Sequence, residues 1–523
     1  MKLARLIGLL LTLTGTSFLI AADPEPTPPS PPAPESALTL SMSEAVVRAL
    51  DANLEVQIER IQPAIAEQQL HYRMGAFDPH LTAHYTSEQL ETPQNTRDFF
   101  ATGRAVEVLD ENNVRTETNF VGLLPTGTRY KVTVLAYSLK NTLNREALAR
   151  FYPEYTTSTS ITVTQPLLRG FGTATTLADA RIAKSDLRVA QLGLRGKVDQ
   201  LASNVLDAYI EAIYGQQLIH VITDRIAVAS RLRDENDKRL KQGLMAPIDV
   251  MQAESTRAAA EIELVRARSF LTETENRLRE LIFTDFLQNA DTPFRFTDRL
   301  DEVSLLESLP ALRGLALNRS AEYQVALQKV ETQKLAVRQA RNQRLPTLDL
   351  EASYGMNGLG SSFSKGFSDY SNRDKPDYSF GIIADIPLTF HAERAQLAKA
   401  LLTLRQSELE AKRTENSVVS QIQTAYARVQ SAIQRANAST RAVETAETAL
   451  NSEEKRLTNG LTTSFNVLKL QDELAQARIN KLEAVAEGHK ALVILWAVSG
   501  VLLERYQITT TEAPGAAATR AQK

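Results

Sequence analysis

Arg239-Leu240-Lys241-Gln242-Gly243-Leu244-Met245-Ala246-Pro247-Ile248-Asp249-Val250 reads as a helix stop followed at once by a helix start. The chain repeats the pattern as Arg456-Leu457-Thr458-Asn459-Gly460-Leu461-Thr462-Thr463-Ser464-Phe465-Asn466-Val467. The copies align without a gap at an offset of 217 residues. Glycine ends a helix because only glycine enters the left-handed C′ conformation without steric cost. Pro247 suits the first position of the helix that follows. Each copy is therefore the tip of a helical hairpin, and the chain holds two.

Working outward from the first tip, about Thr173 to Gln242 contains no proline and only three glycines, at 193, 196 and 215. Roughly 70 residues of helix would be about 105 Å long. Such a helix needs partners along its flank. The hairpin occupies 173–283, and a linker covers 284–304. The second hairpin spans 392–498, and its first helix lacks internal glycine and proline as far as Asn459. Ala208-Tyr209 and Ala425-Tyr426 place their tyrosines 34 residues before the two tip glycines. Ile422, Tyr426, Val429, Ile433, Ala436, Thr440, Val443, Glu447, Leu450, Glu454 and Leu457 alternate four- and three-residue steps, a heptad seam that predicts side-by-side packing with a left-handed supercoil.

Ahead of each hairpin the period changes. One helix runs from Ser41 or Ser43 to about Met74, another from Ser308 or Leu312 to Arg344. Glu55 precedes Pro79 by 24 residues, as Glu322 precedes Pro346. Strands with period-two alternation are expected at about 79–90, 117–124, 129–137, 155–166, 346–356 and 378–388. Residues 87–115 and 355–377 read as loops, and Pro125-Thr126-Gly127 as a turn. The chain thus divides into a signal peptide at 1–22, a proline-rich linker at 23–40, repeats at 41–304 and 305–508, and a disordered tail at 509–523. The signal has Lys2 and Arg5 before an apolar Leu6–Ile20 and small residues at Ala21-Ala22.

Composition narrows the function. Aromatic residues are 6% and helix formers dominate, which favours long helices over globular cores. The net charge is −3 with both signs interspersed, so no nucleic-acid footprint is present. The absence of cysteine excludes disulfides, thiolate metal sites and cysteine nucleophiles. His71, His80, His84, His220, His391 and His489 form no metal-binding pattern, since His80 and His84 fall on a strand, where a four-residue spacing does not converge. Gly170-Phe171-Gly172 lacks the third glycine of a dinucleotide loop and reads as a strand-to-helix bend. No catalytic constellation, cofactor or metal is expected. Strands with one apolar face suit either a membrane sheet, which must close between subunits, or a soluble sheet packed on helices. The long helices favour the membrane, because they leave no globular body for a soluble sheet to cover.

The duplicated plan resembles the TolC-like outer membrane efflux protein family. The resemblance rests on the Leu345-Pro346 strand entry, the Gln165-Pro166-Leu167 and Ile386-Pro387-Leu388 strand exits, and the Gly243-Leu244 and Gly460-Leu461 tips, an ordered set repeated over about 41–505. It implies a mainly α fold with a small membrane β-barrel part. Two tandem repeats of long coiled-coil hairpins plus strands would assemble as a homotrimer, with four strands per chain in a shared outer-membrane barrel and the helices forming a periplasmic tunnel. It implies a passive exit duct rather than an enzyme, docked to an inner-membrane transporter of the RND or ABC type through a periplasmic adaptor. Gly243, Leu244, Gly460 and Leu461 would be the adaptor-docking positions. A protein-secretion duct and a soluble periplasmic coiled-coil scaffold are the alternatives.

The resemblance also marks departures. In that family an acid of the first hairpin can lock the closed tip by bonding a tyrosine and an arginine of the second. Asp249 holds the acid's place, but Leu457 and Thr462 stand where its partners would be, so that lock cannot form. Asn466 and Lys469 replace two acids of the narrowest ring, which argues against strong cation selectivity. The strands at 117–124 and 129–137 are extra, and they form an added hairpin either within the barrel or above it.

Overall fold

The computed structural model describes residues 37–97, 107–142, 150–243, 246–300, 303–305, 307–370 and 376–508. The expected signal peptide, most of the proline-rich linker and the tail lie outside the described residues. The chain opens with β1 (Leu38–Leu40), α1 (Met42–Ala52) and α2 (Leu54–Met74). Four strands follow, β2 (His80–Pro93), β3 (Val108–Leu123), β4 (Arg129–Asn141) and β5 (Glu154–Pro166). The first hairpin is α3 (Ala178–Lys241) and α4 (Pro247–Ile282), and β6 (Phe294–Phe296) comes after it. The second half contains α5 (Leu309–Arg319), α6 (Ala321–Gln343), β7 (Thr347–Gly360), α7 (Phe363–Tyr370), β8 (Pro376–Asp385), α8 (His391–Thr458) and α9 (Ser464–Ser499). Among the described residues no helix is long and apolar enough to cross a membrane.

The strands form one antiparallel sheet in the order β2-β3-β4-β5-β7-β8. The added hairpin is thus an integral part of a six-stranded sheet, beside the four strands that the resemblance implies for the barrel. Its pairing reaches further than alternation predicts. Residues 87–115 were expected as a loop, yet β2 continues to Pro93 and β3 starts at Val108, with Glu88 opposite Asn113 and Gln89 opposite Asn112. Those pairs are polar on both faces, so ladder hydrogen bonds hold a strand there that no apolar alternation announces. The expected loop at 355–377 likewise gives way to the end of β7 and to α7, which packs on β5 and β7 through an edge-to-face contact of Phe363 with Tyr155. The last strand is Pro376–Asp385, displaced from 378–388.

The long helices join the sheet at one end, where α2 leads into β2, β5 into α3, α6 into β7 and β8 into α8, while α7 sits at the other. Next to the sheet, α2, α3, α6 and α8 lie side by side in a single layer; further away the order is α4, α3, α9, α8. Charged residues link each junction of the distant half. Arg225 of α3 donates to Asp472 of α9 (Nε to Oδ1, 2.7 Å) and to Glu263 of α4 (2.6 Å). Nearer the middle the polarity reverses, and Asp207 and Glu211 of α3 lie between Arg277 of α4 (3.3 Å to each) and Lys490 of α9 (3.3 and 2.5 Å). Burial works against the Lys490 charge, but the two carboxylates outweigh it and hold its pKa above the usual lysine value. Arg478 of α9 reaches Glu447 of α8 at 2.8 Å. Of the expected heptad seam of α8, Ile422, Val429 and Ala436 are buried, but Tyr426 and Ile433 are only half-buried and their smaller neighbours Ala425 and Ala432 take the buried places; toward the tip Thr440 and Leu450 are half-buried.

The layer changes membership at its middle, where two expected continuous helices are each broken in two. Asn53 ends α1 in an extended conformation and caps α2, accepting from the N–H groups of Glu55 and Val56. Ser320 separates α5 from α6 by a break in the backbone alone, without a side-chain cap. The apolar period runs across both breaks, so periodicity alone does not reveal them. Both expected linkers also contribute structure here. β1, from the 23–40 stretch, pairs in parallel with β6, from 284–304. Three-residue strands are too short to show alternation. Ser41 starts α1 with a capping box to Glu44.

Leu40, Val46, Leu206, Tyr209, Leu278 and Ile282 form the core of this belt. The fully buried Tyr209 hydroxyl lies 2.7 Å from the Leu40 carbonyl and 2.8 Å from Asp298 Oδ2. Burial and the neighbouring Asp298 push its pKa far above the tyrosine range, so it remains a donor. Tyr209→Phe keeps the ring and removes that donor. The expected cost is about 1–2 kcal/mol, read as a lower denaturation midpoint; an unchanged midpoint would show that the hydroxyl is not structural.

Candidate functional site

The two hairpin tips are built alike. Gly460 adopts φ +71, its N–H donates to the Leu457 carbonyl at 3.0 Å, and the Leu461 N–H donates to the Arg456 carbonyl at 2.9 Å. That pair of bonds is a complete Schellman motif, which satisfies carbonyls a helix end would leave bare. Gly243 matches it at φ +73, with its N–H on the Leu240 carbonyl at 2.9 Å. A Cβ on either glycine would meet open space, so conformation and not crowding requires glycine. Leu461 is 68% exposed. Leu244 lies outside the described residues.

Polar contacts join the two tips. Asn236 of α3 is 1% exposed. Its Nδ2 donates to the Asp249 carbonyl at 3.3 Å, and its Oδ1 accepts from the Ser464 hydroxyl at 3.2 Å. One amide therefore ties the outgoing helix of the first hairpin to its return helix and to the second hairpin. One turn away, Leu232, Ala253 and Leu468 pack the same three helices together. On the second hairpin, the Thr462 hydroxyl donates to Glu453, and Asn466 Nδ2 donates to Thr462 Oγ1 at 3.1 Å. Glu453 also pairs with Arg456 at 3.3 Å.

Of the positions singled out from the sequence, Thr462 and Asn466 are thus brought together, and Asp249 is held through its backbone. Leu457 is half-buried, and Lys469 is exposed, 3.8 Å from Glu473 on its own helix. Asn236, Glu453, Ser464 and Arg225 were not singled out. A signal for two of them existed, because the 217-residue offset that relates the tips also relates Asn236 to Glu453. In both repeats the residue seven before the glycine reaches across the turn. Gly170 and Gly172 do form a strand-to-helix bend, both at φ +82.

Long helical hairpins in a single layer, joined to a sheet with one apolar face, define a class: mainly α tunnel proteins with a small β part. Residues 132–282 and 312–501, more than half of the chain, match the family model described as outer membrane efflux protein. This chain belongs to that family; its place is the outer membrane, with the helical part in the periplasm. It is similar to the outer membrane protein TolC of Escherichia coli K12, 25% identical over 299 residues that cover 54% of this chain and 59% of TolC. The proteases secretion protein PrtF of Dickeya chrysanthemi is 22% identical over 396 residues, 73% of this chain and 81% of PrtF. In fold the chain is similar to the CmeC outer membrane channel of Campylobacter jejuni, with a TM-score of 0.62 at 12% identity over 88% of this chain and 86% of that one.

Asn236→Ala removes the amide shared by both tips. Its loss leaves buried polar partners unsatisfied, at about 1–2 kcal/mol. A local loss of that size raises the open population roughly fivefold or more. Limited proteolysis at the tips should therefore accelerate by that factor while the belt melts as before; unchanged cleavage would show that the amide does not hold the tips.

Proposed function

We propose that this protein is the outer-membrane exit duct of a tripartite export system. The observation that carries the reading is the separation of two unlike ends. A sheet with one apolar face stands at one end, and the paired tips stand at the other. Helices of 64 and 68 residues join them, about 100 Å of continuous helix. The sheet alone is open. In hydrocarbon every backbone group must be bonded, so its edges close on other copies, and a homotrimer supplies the ring. The duct conducts passively, and substrates enter from an inner-membrane transporter of the RND or ABC type through a periplasmic adaptor.

On this reading Gly243, Leu244, Gly460 and Leu461 meet the adaptor, and Asp249, Leu457, Thr462, Asn466 and Lys469 line or hold the periplasmic gate. The contacts at Asn236 and Glu453 are compatible with a gate held shut without the Asp–Tyr–Arg lock. A second reading, a duct for protein secretion, draws support from the similarity to PrtF, which spans more of this chain than the similarity to TolC does.

Two measurements test the duct. The purified protein should migrate as a heat-resistant trimer in detergent and conduct in planar bilayers, with weak cation selectivity or anion preference because of Lys469. A protein found in the soluble fraction, without trimers, would overturn the reading in favour of a periplasmic scaffold. Leu461→Asp should leave the trimer and its conductance intact, since the side chain is exposed, yet reduce export in cells at least tenfold. Wild-type export by that variant would remove Leu461 from the docking surface.

A further inference from the structure

We propose that the β3–β4 hairpin is barrel wall, so that three copies of this chain close an eighteen-stranded barrel in place of the twelve strands that four per copy would make. The inference rests on the duct reading above and concerns how wide the exit is.

The first support is the register. β3 pairs with β2 along its whole length and β4 pairs with β5, with no break where the extra strands enter. Rows of paired residues therefore cross all six strands. One row is Leu81, Phe120, Val132, Ile161, Tyr354 and Tyr378. The adjacent row, on the other face, is Thr82, Asn119, Thr133, Ser160, Gly355 and Asp377. At the first of these rows the apolar face continues through the added hairpin and reaches both edges, and the next row on that face, Ala83, Thr118, Val134, Thr159 and Met356, brings in no charge. A hairpin standing in water above the membrane would have no need of it. Each of the six strands has at least 10 residues, enough to span a bilayer when tilted.

The second support is how the hairpin is anchored. Its turn lies at the helix end of the sheet, where the Gly172 N–H donates to the Thr126 carbonyl at 3.0 Å. Gly127 is at φ +91, and a Cβ there would fall 2.3 Å from the Gly170 carbonyl oxygen. Arg129, at the start of β4, reaches over β5 to Asp349 of β7 at 2.8 Å. The hairpin is thereby fastened to both repeats.

The third support is circumference. Four helices side by side at ~8–10 Å occupy an arc of about 32–40 Å per chain. Six strands spaced ~4.8 Å and tilted ~40° occupy roughly 38 Å, whereas four would occupy about 25 Å. Six strands let the wall continue the helical layer at constant girth. The partner at each edge is a second copy of this chain. β2 and β8 are exposed along their whole length and run in opposite directions, so β8 of one copy pairs antiparallel with β2 of the next.

The chain has no cysteine, so single cysteines report cleanly. Phe120→Cys, Val132→Cys and, on β5, Ile161→Cys would be compared with Asn119→Cys, Thr133→Cys and Ser160→Cys in trimers reconstituted into phosphatidylcholine vesicles. A water-soluble maleimide should label the second set at least tenfold faster than the first. A bimane placed on the first set before reconstitution should be quenched by brominated lipid. Val132→Cys, the milder change, serves if Phe120→Cys fails to assemble. Fast aqueous labelling at Phe120 and Val132 with Ile161 protected would put the hairpin outside the wall and overturn the proposal, leaving the duct reading intact. Fast labelling at Ile161 as well would remove the sheet from the membrane, and the duct reading with it.

Discussion

An open β-sheet cannot sit in hydrocarbon with its edges bare, because each unbonded N–H or C=O there costs several kcal/mol. Much of this molecule follows from that constraint. Among the described residues, the six strands end at two edges without a partner strand. On the duct reading, copies of the chain supply what the fold lacks, and the helices must leave room for them. They do so by standing in a layer one helix thick instead of closing into a bundle. A bundle would bury its own faces and finish the fold within one chain. A layer keeps both faces and both edges available, and ion pairs maintain its order, at Lys490 beside the belt and at Arg225 and Arg478 where buried apolar residues thin out toward the tips.

Much of this plan is legible in the sequence, for reasons that differ by element. The tips are readable because a positive φ demands glycine, and the demand occurs twice at a fixed offset. Strands such as 129–137 and 346–356 are readable because one face is apolar and the other is not. The distal halves of β2 and β3 are not, since Glu88, Gln89, Asn112 and Asn113 carry no alternation and only the partner strand makes them regular. β1 and β6 are too short for any period, and the breaks at Asn53 and Ser320 hide under apolar spacing that continues across them.

At the candidate site, backbone need was visible and side-chain partnership was not. Gly243 and Gly460 stand out by residue type alone. Asn236 and Glu453 are single polar residues within long polar-apolar helices, where most such residues face water. Folding makes them different, one buried between two hairpins and one bonded across its own turn. The repeat relates their positions but not their chemistry, and the two tips are correspondingly unequal: an amide serves both hairpins, and a carboxylate serves only its own.

The breaks in the middle of the layer have a mechanical consequence. Only α3 and α8 run unbroken from the sheet to the tips. α4 ends where α2 begins, with Asn53 Nδ2 donating to the Leu281 carbonyl at 3.3 Å, and α9 ends at Gly500, whose absent side chain makes room for Arg319 at the end of α5. Each subunit thus consists of two uninterrupted rods and two jointed ones. A torque applied at the tips reaches the wall through the rods. At the joints a side-chain hydrogen bond or a close contact replaces the continuous helix ladder, so the return helices transmit load to the belt through packing and not through backbone.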